Sequence, residues 1–162
     1  MENRAVSDTG PILHLHEINK AQLLGLFSRV IISNIVKEEL TKYNIMTLSK
    51  NIEIAPINKD QTALISQKYS LELGESSVIW LCKSLNIPLL LTDDLDAREG
   101  AESLGIRPVG TIGIILRGYR EKIISQEETI LLLQNLHQNS SLFITSELIS
   151  LAISELKTFR KR

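Results

Sequence analysis

Six acidic residues stand where short apolar runs stop or where helical patterns start. Asp8 closes Ala5-Val6-Ser7, and Asp93 and Asp94 follow the run Pro88-Leu89-Leu90-Leu91 after a single Thr92. Glu75 falls in the first turn of a helical pattern opened by Gly74, and Glu39 lies on a helical stretch after Val30-Ile31-Ile32. Glu38 is its neighbour, but Glu39, next to Leu40, is nearer the core edge. Asp96 lies two residues past Asp94. Carboxylates gathered in one place repel, so some must protonate or bind a cation. Their donors are all oxygen, which selects hard cations, Mg²⁺ or Mn²⁺. A cation held by such a set suits phosphoryl chemistry, because it orients water, lowers its pKa and offsets charge in the transition state. His14 and His16 are two apart, point to different helix faces and cannot jointly grip a metal. They read as structural or surface groups. No nucleophile–base pair suggests acyl transfer, and no glycine-rich phosphate loop is present. Each acid also has a plainer use: Asp8 is a favoured helix cap, and a glutamate such as Glu39 is usually solvated.

The elements that would carry these residues follow from pattern. A short apolar run bounded by Pro and polar residues, such as 88–91, reads as a fully buried strand. Residues 4–7 and 30–32 read as two more, Ile52-Glu53-Ile54 as a short edge strand and Arg107-Pro108-Val109 as an edge strand or a strand start. Between them lie helical patterns: 11–18, with Pro11 at the first helical position, a continuation over 21–27, then 35–42, 60–69, a stretch from Gly74 and 97–104 closed by Gly105. Thr111 caps a helix to about Tyr119, Ser125 caps the next with Glu128 completing a capping box, and Ser146 starts the last. Strands alternating with helices, then helices alone, predict a three-layer α/β/α sandwich with a mainly parallel central sheet and a C-terminal helical extension. In open α/β sheets, sites form at the carboxyl ends of strands, where Asp8 and Asp94 would share one edge.

Composition narrows the classes. The 162 residues are most simply one domain, with about 1–120 as its core and about 121–162 as the extension. Hydrophobic content of 43% and charged content of 23% fit a globular protein, and no segment is apolar for long enough to span a bilayer. The N-terminus lacks the apolar core of a signal peptide, so a cytoplasmic location is expected. The single cysteine, Cys82, excludes an internal disulfide and falls on an apolar helix face, where it reads as core. Net charge of −1 gives no global attraction to nucleic acid or membrane, so a nucleic-acid partner would need a local basic patch or bound metal.

The segments Val6-Ser7-Asp8-Thr9-Gly10-Pro11, Ile31-Ile32-Ser33 leading to Val36-Lys37-Glu38-Glu39-Leu40, Leu73-Gly74-Glu75-Ser76, Leu91-Thr92-Asp93-Asp94 with Ala97-Arg98, and Val109-Gly110-Thr111-Ile112-Gly113 carry a resemblance. In their order and spacing the chain resembles the PIN domain, the fold of many VapC-like toxin ribonucleases, and more closely an uncharacterised prokaryotic PIN-like branch. The resemblance implies Asp8, Glu39, Glu75 and Asp94 as the catalytic, metal-binding acids for Mg²⁺ or Mn²⁺, with Asp93 or Asp96 substituting or assisting. It implies Thr9 and Thr92 as hydroxyls that orient carboxylates or water. Glu75 departs from the pattern, since many PIN toxins have Asp there, and its longer reach would shift a metal. The resemblance gives the helices after Arg120 no active-site role.

The expected activity is therefore metal-dependent cleavage of RNA by a toxin-like protein paired with a small antitoxin. The alternative is a PIN-like module that binds RNA or protein without cutting. A receiver-like signalling domain also pairs acids on an α/β fold, but it expects the pair after the first strand, and here the pair comes late. For substrate binding, Arg117 and Arg120 are three apart on a helix and, with Lys122 and Arg98, could contact phosphates. A solvated helix end explains them as well. Aromatic content of 4% argues against base stacking as the main source of affinity. Leu131, Leu132 and Leu136, with Leu148, Leu151 and Leu156, form apolar faces that could serve a homodimer or the core, and the basic tail 157–162 could complement a helix C-terminus.

Overall fold

The computed structural model describes residues 3–160; Lys161 and Arg162 of the basic tail lie outside the described residues. Five strands form one parallel sheet: β1 (Arg4–Ser7), β2 (Arg29–Ser33), β3 (Ile52–Ala55), β4 (Leu89–Leu91) and β5 (Arg107–Val109), in the order β3-β2-β1-β4-β5. The three inner strands bury both faces. Ala5, Val6, Val30, Ile32, Leu90 and Leu91 are all fully buried, which is why these segments read as unbroken apolar runs rather than alternating ones. The edges are β3 and β5. Pro108 sits at the β5 edge, where a missing N–H costs no ladder bond.

Eight α-helices accompany the sheet among the described residues. They are α1 (Thr9–Glu17), α2 (Asn34–Lys42), α3 (Lys59–Tyr69), α4 (Leu73–Ser84), α5 (Leu95–Ser103), α6 (Thr111–Arg120), α7 (Gln126–Asn139) and α8 (Ser146–Arg160). Central to one layer is α4, which packs on β1, β2 and β4 between α3 and α5. In the other layer α1, α6 and α7 pack together. The result is the α/β/α sandwich, with α7 and α8 after it. Cys82 is buried on α4. The C-terminal helices divide their leucines: Leu132, Leu133, Leu136 and Leu156 are buried, whereas Leu131, Leu148 and Leu151 are exposed.

Several local expectations change in detail. Pro11 is the third residue of α1, not the first; the first turn has no intrahelical acceptors for its N–H groups, so the ring fits there too. The continuation at Ala21–Leu26 is a 3₁₀ segment. Thr111 does not cap α6: Gly110 does, and Thr111 becomes its first residue. Ser125 caps α7 by accepting the Glu128 N–H at 3.1 Å, but the Glu128 carboxylate closes no box and pairs with Lys20 Nζ at 2.5 Å. No helix among the described residues is long and apolar enough to cross a membrane.

Candidate active site

The strand order has a consequence for the acids. From β1 the chain winds outward to β2 and β3, then returns to place β4 and β5 on the other side of β1. The reversal between β1 and β4 is the point where α/β sheets open a crevice beyond their carboxyl ends. Register pairs Val6 with Leu90 and Ser7 with Leu91, so the next residues on the two strands, Asp8 and Thr92, leave the sheet side by side. The Asp8 N–H still donates to Leu91 O at 2.8 Å, extending the ladder by one bond.

Asp8 is 7% exposed and serves two elements at once. Its Oδ1 accepts the Thr9 N–H at 2.9 Å, which makes it the cap of α1. Its Oδ2 accepts the Thr92 hydroxyl at 3.2 Å. The same Thr92 oxygen accepts the Asp94 backbone N–H at 3.2 Å, so one hydroxyl touches the Asp8 carboxylate and the Asp94 main chain. Asp94 Oδ2 accepts the Ala97 N–H at 2.8 Å and caps α5. Asp93 turns the other way: its two oxygens accept the Thr111 N–H at 2.7 Å and the Thr111 hydroxyl at 2.6 Å, tying the end of β4 to the start of α6.

Glu39 and Glu75 approach from the second pair of elements. Ser33 ends β2 and caps α2 by accepting the Val36 N–H, so α2 leaves from the same edge. Glu39 then lies over the cleft, where the Thr9 hydroxyl donates to its Oε2 at 2.5 Å. Gly74 is the seat of that carboxylate. A Cβ there would stand 2.3 Å from Glu39 Oε1. Glu75, in the first turn of α4, accepts the Glu72 N–H at 3.2 Å.

Asp8, Glu39, Glu75 and Asp94 thus line one cleft of about 440 Å³, with Thr9 and Asp93 also on its wall. The carboxylates disturb one another. Burial, with the negative charges of Glu39 and Asp94 adding to it, raises the Asp8 carboxyl to about 6 despite hydrogen bonds from Thr9 and Thr92 that oppose the shift. Burial and the charges of Asp94 and Asp8 raise Glu75 to about 7. Such a cleft keeps protons that ordinary carboxyls release, or exchanges them for a cation. The donor chemistry fits a hard divalent ion. Among the described residues, no three His, Cys, Asp or Glu side chains stand close enough to hold one ion together. Mg²⁺ keeps several waters and uses one or two carboxylates, so these acids suit it as a partly hydrated guest.

The structure adds residues to the cleft that the pattern did not place there. His14 is 7% exposed and lines the cleft. Its Nδ1 meets Glu17 Oε1 at 2.8 Å, and its Nε2 lies 3.8 Å from Asp93 Oδ2. Burial alone would raise the Glu17 carboxyl, but hydrogen bonds from His14 and Ser141 outweigh it and hold Glu17 below its ordinary value. Ser141, from the connection between α7 and α8, also lines the cleft, as do Glu72 and Tyr43. The glutamate three residues after His14 was the available signal, since that spacing brings side chains together on a helix.

Other expected residues lie elsewhere. Asp96 is exposed and faces a separate depression beside Lys68 and Tyr69. Arg98 lines a groove next to the cleft, sharing Asp93 with it. Arg117 sits about 9 Å along α6 from Thr111. Its guanidinium lies over the Phe27 ring at 4.7 Å, donates to Asn3 Oδ1 at 2.7 Å and pairs with Glu121. Arg120 faces a groove between α6 and α8, and Lys122 is exposed in the following turn with a φ of 61°. None of these three lines the acidic cleft.

No curated protein matches the chain. A family model described as a PIN domain matches residues 4–158, which takes in all five strands and the greater part of both C-terminal helices. With that match over nearly the whole chain, and with a parallel α/β/α sandwich whose acids meet at the switch point, the chain belongs to the PIN-domain family.

Proposed function

We propose that this chain is a Mg²⁺- or Mn²⁺-dependent endoribonuclease, a toxin-like member of a pair with a small antitoxin, acting in the cytoplasm. PIN domains are generally nucleases that use divalent ions. The observation that carries the reading is the meeting of Asp8, Glu39, Glu75 and Asp94 in one cleft at the carboxyl edge of the sheet. A bound divalent ion supplies a more acidic water and neutralises charge growing on the phosphate. Asp8 and Asp94 are the residues to hold it, since they follow the neighbouring strands β1 and β4 and both line the cleft. Glu39, fixed by Thr9, and Glu75 line the same cleft. Without a cation, Asp8 and Glu75 hold their protons to higher pH than ordinary carboxyls, up to about 6 and about 7, so a cation competes with protons there. Leu131, Leu148 and Leu151 remain exposed and support a homodimer through the C-terminal helices.

The test is incubation of the purified chain, freed of any co-purifying protein, with structured and unstructured RNAs in Mg²⁺ or Mn²⁺. The expected result is internal cleavage that EDTA abolishes. A second reading, a PIN-like module that binds RNA or protein without cutting, draws on the separation of the acids, no three of which could share an ion among the described residues. RNA binding without cleavage in either metal would establish that reading instead.

A further inference from the structure

Beside the acidic cleft lies a second groove, of about 610 Å³, and the two share Asp93. Its walls include Arg98 from α5 and Phe143 from the connection between α7 and α8. Of the three phenylalanines, Phe27 is buried and Phe159 is 42% exposed, but Phe143 is 91% exposed. A loose loop does not account for that exposure. Glu17 accepts both the Ser141 N–H at 3.0 Å and its hydroxyl at 2.9 Å, and the next residue but two, Ile144, is buried with its carbonyl 2.9 Å from His137 Nδ1. The backbone is fastened on both sides of Phe143, and the ring is held out into solvent. Elsewhere on the groove, Gly110 leaves room for the Asp93 carboxylate and the guanidinium: a Cβ there would stand 2.8 Å from Asp93 Oδ1 and 3.1 Å from Arg98 Nη1. No carboxylate forms an ion pair with Arg98 among the described residues.

An open aromatic face and an unpaired guanidinium, next to a cleft suited to a cation and a phosphodiester, match the parts of a single nucleotide. The ring stacks a base and the guanidinium takes a phosphate. A base is free to stack in this way only when it is unpaired, because a duplex keeps its bases within its own stack. We propose that the Arg98–Phe143 groove is a subsite for one unpaired nucleotide of a single-stranded RNA, adjoining the scissile phosphate held at the acidic cleft. The proposal rests on the nuclease reading for the word scissile, and on the groove alone for binding.

The two are separated by measuring binding and cleavage independently. Binding is read with the full chain in EDTA, using a fluorescein-labelled single-stranded octaribonucleotide and a blunt duplex of the same length. Phe143→Ala should weaken single-strand binding about tenfold and leave duplex binding unchanged, whereas Phe143→Tyr should restore it. Arg98→Ala should weaken it too and lower the salt dependence by about one phosphate contact. Phe143→Trp adds a reporter to a chain whose only tryptophan is Trp80. Its emission should be quenched by the single strand, while that of the wild type is not. A ring this exposed adds little to the packing of the fold, and thermal melting of each variant checks this. Phe143→Ala binding as tightly as wild type would overturn the subsite, as would wild type failing to bind the single strand at all. Conversion of a dimer to a monomer by Phe143→Ala, with RNA affinity unchanged, would also overturn it and assign the patch to a protein contact. A chain that cleaves RNA regardless of Phe143 keeps the nuclease reading and loses the subsite. A chain that stacks RNA on Phe143 but cleaves none keeps the subsite and loses the nuclease reading.

Discussion

Two charged regions of this molecule, the cleft beyond β1 and β4 and the far end of α6, are built on opposite principles. At the far end of α6 opposite charges and a ring neutralise one another: Arg117 has Glu121, Asn3 and Phe27, and nearby Lys20 has Glu128. In the cleft like charges are brought together, and hydrogen bonds from Thr9 and Thr92 fix them without cancelling them. Asp8 and Glu75 show the cost, with carboxyls raised to about 6 and about 7. A region that is satisfied by itself supports the fold. One that carries unresolved repulsion is set up for a ligand from outside.

The sharpest way to test this contrast is to remove single charges from the cleft. Asp8→Asn and Asp94→Asn should each lower metal-dependent RNA cleavage by at least about 100-fold, because the ion's contribution to the barrier is worth several kcal/mol. Asp96→Asn, outside the cleft, should change it less than about twofold. Initial rates on one RNA, in Mg²⁺ and in Mn²⁺, decide the matter; equal losses at all three positions would mean that the cleft is not special.

Gly74→Ala probes the seat of Glu39 without touching an acid. The added Cβ falls 2.3 Å from Glu39 Oε1, so the flexible carboxylate must leave Thr9. Cleavage should fall about tenfold while the melting temperature stays nearly unchanged, since Ala favours a helix over Gly by about 1 kcal/mol. A large loss of stability with normal activity would show that the glycine serves packing alone.

The repulsion itself should appear in pH-dependent melting of the metal-free protein. Both carboxyls have folded pKa values above their ordinary 3.8 and 4.5. Their contribution to stability is complete below about pH 4 and is lost as pH rises through 6 and 7. Asp8→Asn removes the more deeply buried of the two charges, so it should raise metal-free stability at pH 8 by about 1–3 kcal/mol and flatten the profile. Mg²⁺ should raise the wild-type melting temperature at pH 8 far more than at pH 5, where protons compete for the same oxygens. Urea or thermal melts across that range, with and without millimolar Mg²⁺, measure both effects, and a flat profile in wild type would remove the repulsion.

The smallest effect belongs to the satisfied region. Arg117→Ala loses a ring contact, a hydrogen bond to Asn3 and an ion pair. It should lower stability by about 1–2 kcal/mol and leave RNA affinity and its salt dependence as they were. A lower salt slope in filter binding would return Arg117 to the nucleic-acid surface.

What was legible in the sequence was local. An apolar run that ends in an acid marks a strand end, and that is how Asp8, Asp93 and Asp94 stood out. A cap and a site did not have to compete for Asp8, because its two oxygens serve Thr9 and Thr92 separately. Helix spacing showed that Arg117 and Arg120 are neighbours, but not that Phe27 and Asn3 take up Arg117. Two histidines two apart could not share a metal. That correct inference said nothing about His14, which Glu17 orients toward Asp93 across the cleft.

Residue type and local pattern alone mark the acids at element ends, the buried strands and the alternation of strands with helices. Those features rest on contacts within a few residues, and their periodicity records them. Folding in three dimensions sets the rest: β4 lies beside β1 in the register Val6–Leu90, the connection carrying Ser141 lines the cleft, and Phe143 stands bare beside it. Asp8 and Thr92 are 84 residues apart in the chain. Strand order and register are set by how all the apolar faces pack at once, so no local pattern encodes them.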